Sequence, residues 1–92
     1  MKRIDATIRP FTVRSSDGTR VQAFEAGQGQ RRVLLSPGMG TPLLCWKYLF
    51  EALQRDYRVV TWDPRGCYGS EVPVDVERVD VRDHAADGHA VI

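Results

Sequence analysis

Alternating apolar and polar side chains mark the first two elements. Phe11-Thr12-Val13-Arg14 and Arg20-Val21-Gln22-Ala23-Phe24-Glu25-Ala26 read as strands. Ser15-Ser16-Asp17-Gly18-Thr19 lies between them, and its Asp-Gly pair is a turn signal because Gly tolerates positive φ. The two strands therefore form a hairpin whose apolar face is made by residues such as Val21 and Ala23 or by their neighbours. Residues 1–10 ahead of it are expected to be a flexible terminus. Gly27-Gln28-Gly29-Gln30 behind it is expected to be a surface loop.

The pattern then turns from alternating to continuous. Arg32-Val33-Leu34-Leu35-Ser36 is a short apolar run, as in a strand buried on both faces. Pro37-Gly38-Met39-Gly40 stops it. Thr41 and Pro42 follow as a helix start, with Thr as cap and Pro in the first turn. Leu43, Trp46, Leu49, Phe50 and Leu53 recur at helical spacing, leaving Lys47, Glu51, Gln54 and Arg55 outside the stripe. Glu51 and Arg55 stand i, i+4 in the favourable order for an ion pair. Tyr57-Arg58-Val59-Val60-Thr61-Trp62 is a second buried-type strand, closing a parallel βαβ unit. Residues 71–80 read two ways: Val72, Val74 and Val76 alternate as in a strand, whereas Pro73 and the charges argue for an extended loop. Asp80 can cap a last helix through Ala85, Ala86, Ala90 and Val91, which Gly88 weakens by about 1 kcal/mol relative to Ala.

Composition narrows the class. Apolar residues make up 42% of the 92, enough for a core but only a small one. The net charge of +1 hides an imbalance: residues 1–70 carry 11 Lys/Arg against 6 Asp/Glu, residues 71–92 carry 2 against 6. Neither half contains a block of five like charges, so no nucleic-acid partner is expected. No apolar run approaches the ~18 residues of a membrane span, and no signal-peptide pattern is present, so no membrane partner and a cytoplasmic location are expected. Two cysteines, Cys45 and Cys67, are too few and too far apart for a zinc site or a disulfide framework. Cys45 reads as a small buried apolar residue. His84 and His89 are five apart, the wrong spacing for a pair of helical metal ligands, and no metal or cofactor is implied.

The strand–Pro37-Gly38-Met39-Gly40–helix junction and Asp63-Pro64-Arg65-Gly66-Cys67-Tyr68-Gly69-Ser70 carry the most information. A Gly-rich turn after a strand sets backbone N–H groups at the carboxyl end of a sheet, where α/β proteins hold ligands. With the opening hairpin, Trp46 and Val59–Trp62, these segments in this order resemble the N-terminal part of the α/β-hydrolase fold, and Arg82–Asp87 resembles the helix before that family's nucleophile strand. The resemblance implies an incomplete α/β domain over residues 1–92: a hairpin, a βαβ unit and a final helix. It also implies that the residue after the Gly of the family's His-Gly turn, here Met39, gives its backbone N–H to an oxyanion hole. Gly38 and Gly40 would shape that loop against a small-molecule, ester-like substrate. Two departures are visible: Pro37 stands where His is common, and Tyr68 where Gly is frequent.

The family's nucleophile sits in Gly-x-Ser-x-Gly, followed by the acid and the His, and that motif is absent. Ser70 lacks the second Gly and a leading strand; Ser36 precedes Pro37 with no base near it in sequence. The chain alone is therefore expected to be inactive as a hydrolase, and its length to reflect truncation before the nucleophile. Asp63 and Arg65 are expected to fix their loop and not to do chemistry. A pairing of Cys67 with His84 as nucleophile and base lacks a third, orienting group. Two rival readings remain: a non-catalytic interaction module that self-associates through an unpaired apolar strand, and a dinucleotide-binding βαβ unit using Gly38, Gly40 and Asp63.

Overall fold

The computed structural model describes residues 7–38, 40 and 42–92. Strands β1 (Arg9–Arg14) and β2 (Arg20–Ala26) pair antiparallel, Val13 opposite Val21, around the Asp17-Gly18 turn. Strand β3 (Arg32–Leu34) leads through a 3-10 turn (Leu43–Trp46) into helix α1 (Lys47–Leu53), then strand β4 (Arg58–Trp62) and helix α2 (Val81–Val91). The sheet order is β1-β2-β4-β3, with β4 antiparallel to β2 and parallel to β3. Strand, helix and parallel strand thus form the βαβ unit that the apolar pattern anticipated.

The period-2 geometry of β4 sorts its side chains onto both faces of the sheet. On one face Val60 and Trp62 join Val21, Ala23 and Val91 of α2, with Phe11, Val13 and Leu34 at the margin. On the other, Val59 and Ala26 meet Phe50 of α1, surrounded by Leu43, Trp46, Leu53 and Tyr57. β4 is the hydrophobic spine, and each helix covers one side of it. Leu49, expected in the α1 stripe, turns outward and is 44% exposed.

Several expectations change in three dimensions. Arg9 and Pro10, assigned to a flexible terminus, belong to β1 and pair with Glu25 and Phe24; residues 1–6 lie outside the described set. β3 is shorter than the apolar run and half-buried, and it lies at the sheet edge with one flank unpaired, as the unpaired apolar strand of the sequence reading anticipated. Pro42 caps the 3-10 turn without a side-chain bond, and Thr41 lies outside the described residues. Glu51 pairs with Lys47, its i−4 neighbour, at 3.0 Å, and among the described residues the expected Glu51–Arg55 pair does not form. Cys45 is exposed, since the 3-10 turn rotates it off the core face.

The loop Gly27–Gln30 is packed down, not merely solvated. A Cβ on Gly29 would lie 2.1 Å from the Asp56 carbonyl oxygen, so only glycine lets the two backbones pass. Gly88 has a comparable role within α2: a Cβ there would stand 2.9 Å from the Trp62 ring. The helix tolerates a poor helix former because it seats the indole.

One arginine joins three distant segments. Arg65 is buried, and all five of its N–H donors are engaged. Nε and one Nη2 hydrogen reach Asp87 of α2 at 2.9 and 2.6 Å. The others reach Asp17 of the hairpin turn at 2.8 and 3.3 Å, and the Arg78 carbonyl at 2.7 Å. Hydrogen bonding to Arg65 holds the Asp17 carboxyl well below the usual carboxylate range. Arg65 does fix its loop, but through Asp17 and Asp87 and not through Asp63.

Candidate active site

Because β3 and β4 are parallel, the loops at their carboxyl ends emerge on the same side of the sheet. The first, Leu35–Gly40, is fastened to β4 by Leu35 N–H donating to the Val60 carbonyl at 2.8 Å and by the Thr61 hydroxyl donating to the Leu35 carbonyl at 2.7 Å. Beyond that clamp Pro37 is buried, while Ser36, Gly38 and Gly40 are exposed. Gly40 has φ +76, a conformation L side chains rarely adopt. Met39, the expected oxyanion donor, lies outside the described residues.

The second loop, Asp63–Ser70, folds back on itself. The Asp63 carboxylate accepts the Gly69 N–H at 3.1 Å; burial pushes its pKa up, and that single bond only partly offsets the loss of water. The Ser70 hydroxyl donates to the Asp63 carbonyl at 2.6 Å and accepts the Gln22 N–H at 2.9 Å. Both of its bonds are structural and the residue is buried, so Ser70 is no nucleophile. Asp63, enclosed at 5% exposure, is not presented to a ribose as the dinucleotide reading would need.

Tyr68 connects the two loops. Its hydroxyl donates to the Gly40 carbonyl at 2.6 Å, and its backbone sits at φ 49. The left-handed region costs a non-Gly residue about 1–2 kcal/mol, so the position where the resemblance expects Gly keeps a glycine-like backbone. The tyrosine adds a tether to the Gly-rich turn.

The sequence did not foresee the partner of Ser36. The His84 Nε2 stands 3.3 Å from the Ser36 Oγ, and the His84 ring leans on Trp62 with centroids 5.0 Å apart. His84 thus meets Ser36, forty-eight positions away, and not Cys67. Only the docking of α2 could reveal this, since nothing local to either residue signals the other. α2 starts cleanly: the Asp80 carboxylate accepts from Arg82 and Asp83 N–H, and Asp83 returns a bond to the Asp80 N–H. Beside the pair lies a cleft of about 350 Å³ lined by Leu34, Trp62, Val81, Ala85 and Gly88 among others. Among the described residues no three His, Cys, Asp or Glu side chains gather as metal ligands, and no helix is long and apolar enough to cross a membrane.

No family model and no curated protein matches the sequence. Solved structures do. An epoxide hydrolase from Vigna radiata superposes with a TM-score of 0.78 at 28% identity, over 90% of this chain and 27% of that one. Epoxide hydrolase A from Mycobacterium thermoresistibile gives 0.79 at 29% identity, over 91% and 27%. The Cif epoxide hydrolase from Acinetobacter nosocomialis gives 0.74 at 16%, over 87% and 24%, a likeness of fold alone. The chain spans about a quarter of the length of these structures. Its four-stranded sheet, with a helix on each face, matches the N-terminal part of the α/β-hydrolase fold.

Proposed function

We propose that this chain supplies the amino-terminal part of a hydrolase's catalytic sheet, with the Leu35–Gly40 loop placed against the substrate atom that gains negative charge. The observation that carries the reading is the likeness to epoxide hydrolases at 28–29% identity along nine-tenths of the chain. An epoxide is accordingly the first substrate class. Its ring oxygen becomes an alkoxide on opening, a charge that backbone N–H donors can stabilise. A small ester is the second class, supported by the Gly-rich turn and the resemblance it carries. The Met39 N–H is the donor in either case, with Gly38 and Gly40 letting the substrate oxygen approach.

The test is an assay of the full reading frame containing this chain, with styrene oxide and p-nitrophenyl acetate measured side by side. Diol release with little ester turnover is expected, and the absence of hydrolysis of either would sink the proposal. Met39→Pro removes the one N–H in question and should lower kcat by about 10²–10³. Met39→Leu, which keeps it, should leave kcat near wild type. Equal loss in both would assign the effect to the side chain.

A further inference from the structure

We propose that Tyr68 is a positioning residue for the Gly-rich turn: its hydroxyl, carried by a rigid loop, fixes the backbone that presents the Met39 N–H. The inference rests on the reading that this turn faces the substrate oxygen. Glycine samples both signs of φ almost equally, so a turn built on Gly38 and Gly40 does not aim its own N–H groups. The Tyr68 hydroxyl donates to the Gly40 carbonyl at 2.6 Å, with Gly40 at φ +76. Holding that carbonyl sets the peptide plane after Gly40 and limits how the two peptides before it can rotate. Tyr68 reaches the turn and not the reacting atoms, so it acts through the turn.

The other end of the tether is firmly seated. On either side of Tyr68, the Cys67 N–H donates to the Pro64 carbonyl at 2.9 Å and the Ser70 N–H to the Cys67 carbonyl at 3.0 Å. The Gly69 N–H is held by the Asp63 carboxylate at 3.1 Å, and a Cβ on Gly69 would stand 3.1 Å from the Gln22 Cγ of β2. None of these contacts involves the open flank of β3 or Ile92. Within that frame Tyr68 sits at φ 49, where a glycine would be unstrained. One neutral hydrogen bond returns no more than that backbone costs, so stability gives no reason for a tyrosine here. Strain retained without a gain in stability, in a loop bonded to the candidate site, points to function. A donor already aimed needs no reorganisation as charge develops on the substrate oxygen, so the tether acts on kcat and not on KM.

The test uses the full reading frame containing this chain, with Tyr68→Phe and Tyr68→Gly assayed beside wild type on styrene oxide and p-nitrophenyl acetate. Tyr68→Phe keeps the ring and the strained backbone and removes only the hydroxyl. It should lower kcat about tenfold, the rate equivalent of leaving one residue's backbone unordered, with KM within about twofold of wild type. Hydrogen–deuterium exchange should quicken at amides 38–41. Tyr68→Gly relieves the strain as well, so it should be at least as stable as Tyr68→Phe in urea and yet show the same loss of kcat. A structural role would instead make activity follow stability. Wild-type kcat in either variant, a rise in KM with kcat intact, or unchanged exchange at amides 38–41 overturns the inference. A wild-type frame that hydrolyses neither substrate sinks the reading beneath it, whereas an active wild type with an unimpaired Tyr68→Phe overturns this inference alone.

Discussion

Replacing Arg65 by Met tests whether a single side chain holds the hairpin turn, the loop after β4 and α2 together. The change keeps most of the side-chain volume but removes all five donors. Asp87 has no exposure, and among the described residues its side-chain hydrogen bonds are those to Arg65. Its carboxylate is then left uncompensated, a situation that costs about 3–5 kcal/mol when one partner of a buried pair is deleted. Asp17 keeps the Thr19 N–H at 3.1 Å and sits near water, so it adds less. A chain of this length has a total stability of roughly 5–14 kcal/mol, so the loss is a large fraction. With an m-value of about 1.5 kcal/mol/M, 3 kcal/mol lowers the urea midpoint by about 2 M. Trp62, packed beneath α2, reports the transition by fluorescence. The double variant Arg65→Met, Asp87→Leu removes the stranded charge and should recover at least about 1 kcal/mol of the loss. There is also an acid signature. Asp17 has a depressed pKa in the folded state, so its contribution is present above about pH 4, the unfolded carboxylate value, and fades as pH falls through the folded one. Arg65→Met should lose that slope. A single variant within 1 kcal/mol of wild type, or a double variant no better than the single, refutes the account.

Three further outcomes are expected. Asp63 has a raised folded pKa, so its charge lowers stability as pH rises from about 4 through the folded value; Asp63→Asn should gain on wild type between pH 3.5 and pH 7 in urea titrations, and a constant or shrinking gap contradicts this. Gly88→Ala gains about 1 kcal/mol of helix propensity but sets a Cβ 2.9 Å from the buried Trp62 ring. A net loss of about 1 kcal/mol is expected, and a more stable variant would show that the indole yields freely. Phe50→Ala empties the centre of the α1 face and should cost about 3–5 kcal/mol in thermal or urea unfolding, whereas Leu49→Ala, outside that core, should cost less than about 1 kcal/mol.

The sequence by itself determined what depends on neighbours along the chain. Asp17-Gly18 sets a turn, alternation sets β1 and β2, and Asp80 caps α2, because each is governed by backbone preferences and bonds reaching only a few residues. The order of strands and helices also carried the hydrolase-like architecture. Tertiary structure decided whatever required two remote segments to meet. The apolar run at 32–36 suggested a strand with an unpaired flank, but not that β4 would be its neighbour on the other side, since pairing partners are not written in composition. Arg65 could not choose Asp17 and Asp87 over the nearer Asp63 until the turn and α2 were in place. Gly88 looked like a weakness in a helix and became a seat for Trp62. Ser36 had no base within reach of its own loop; α2, docking on the sheet through Val91 and Gly88, brought His84 to it. Local preference acts over one or two turns of chain, whereas a site is made by the packing of surfaces, and packing is set only when the whole sheet has formed.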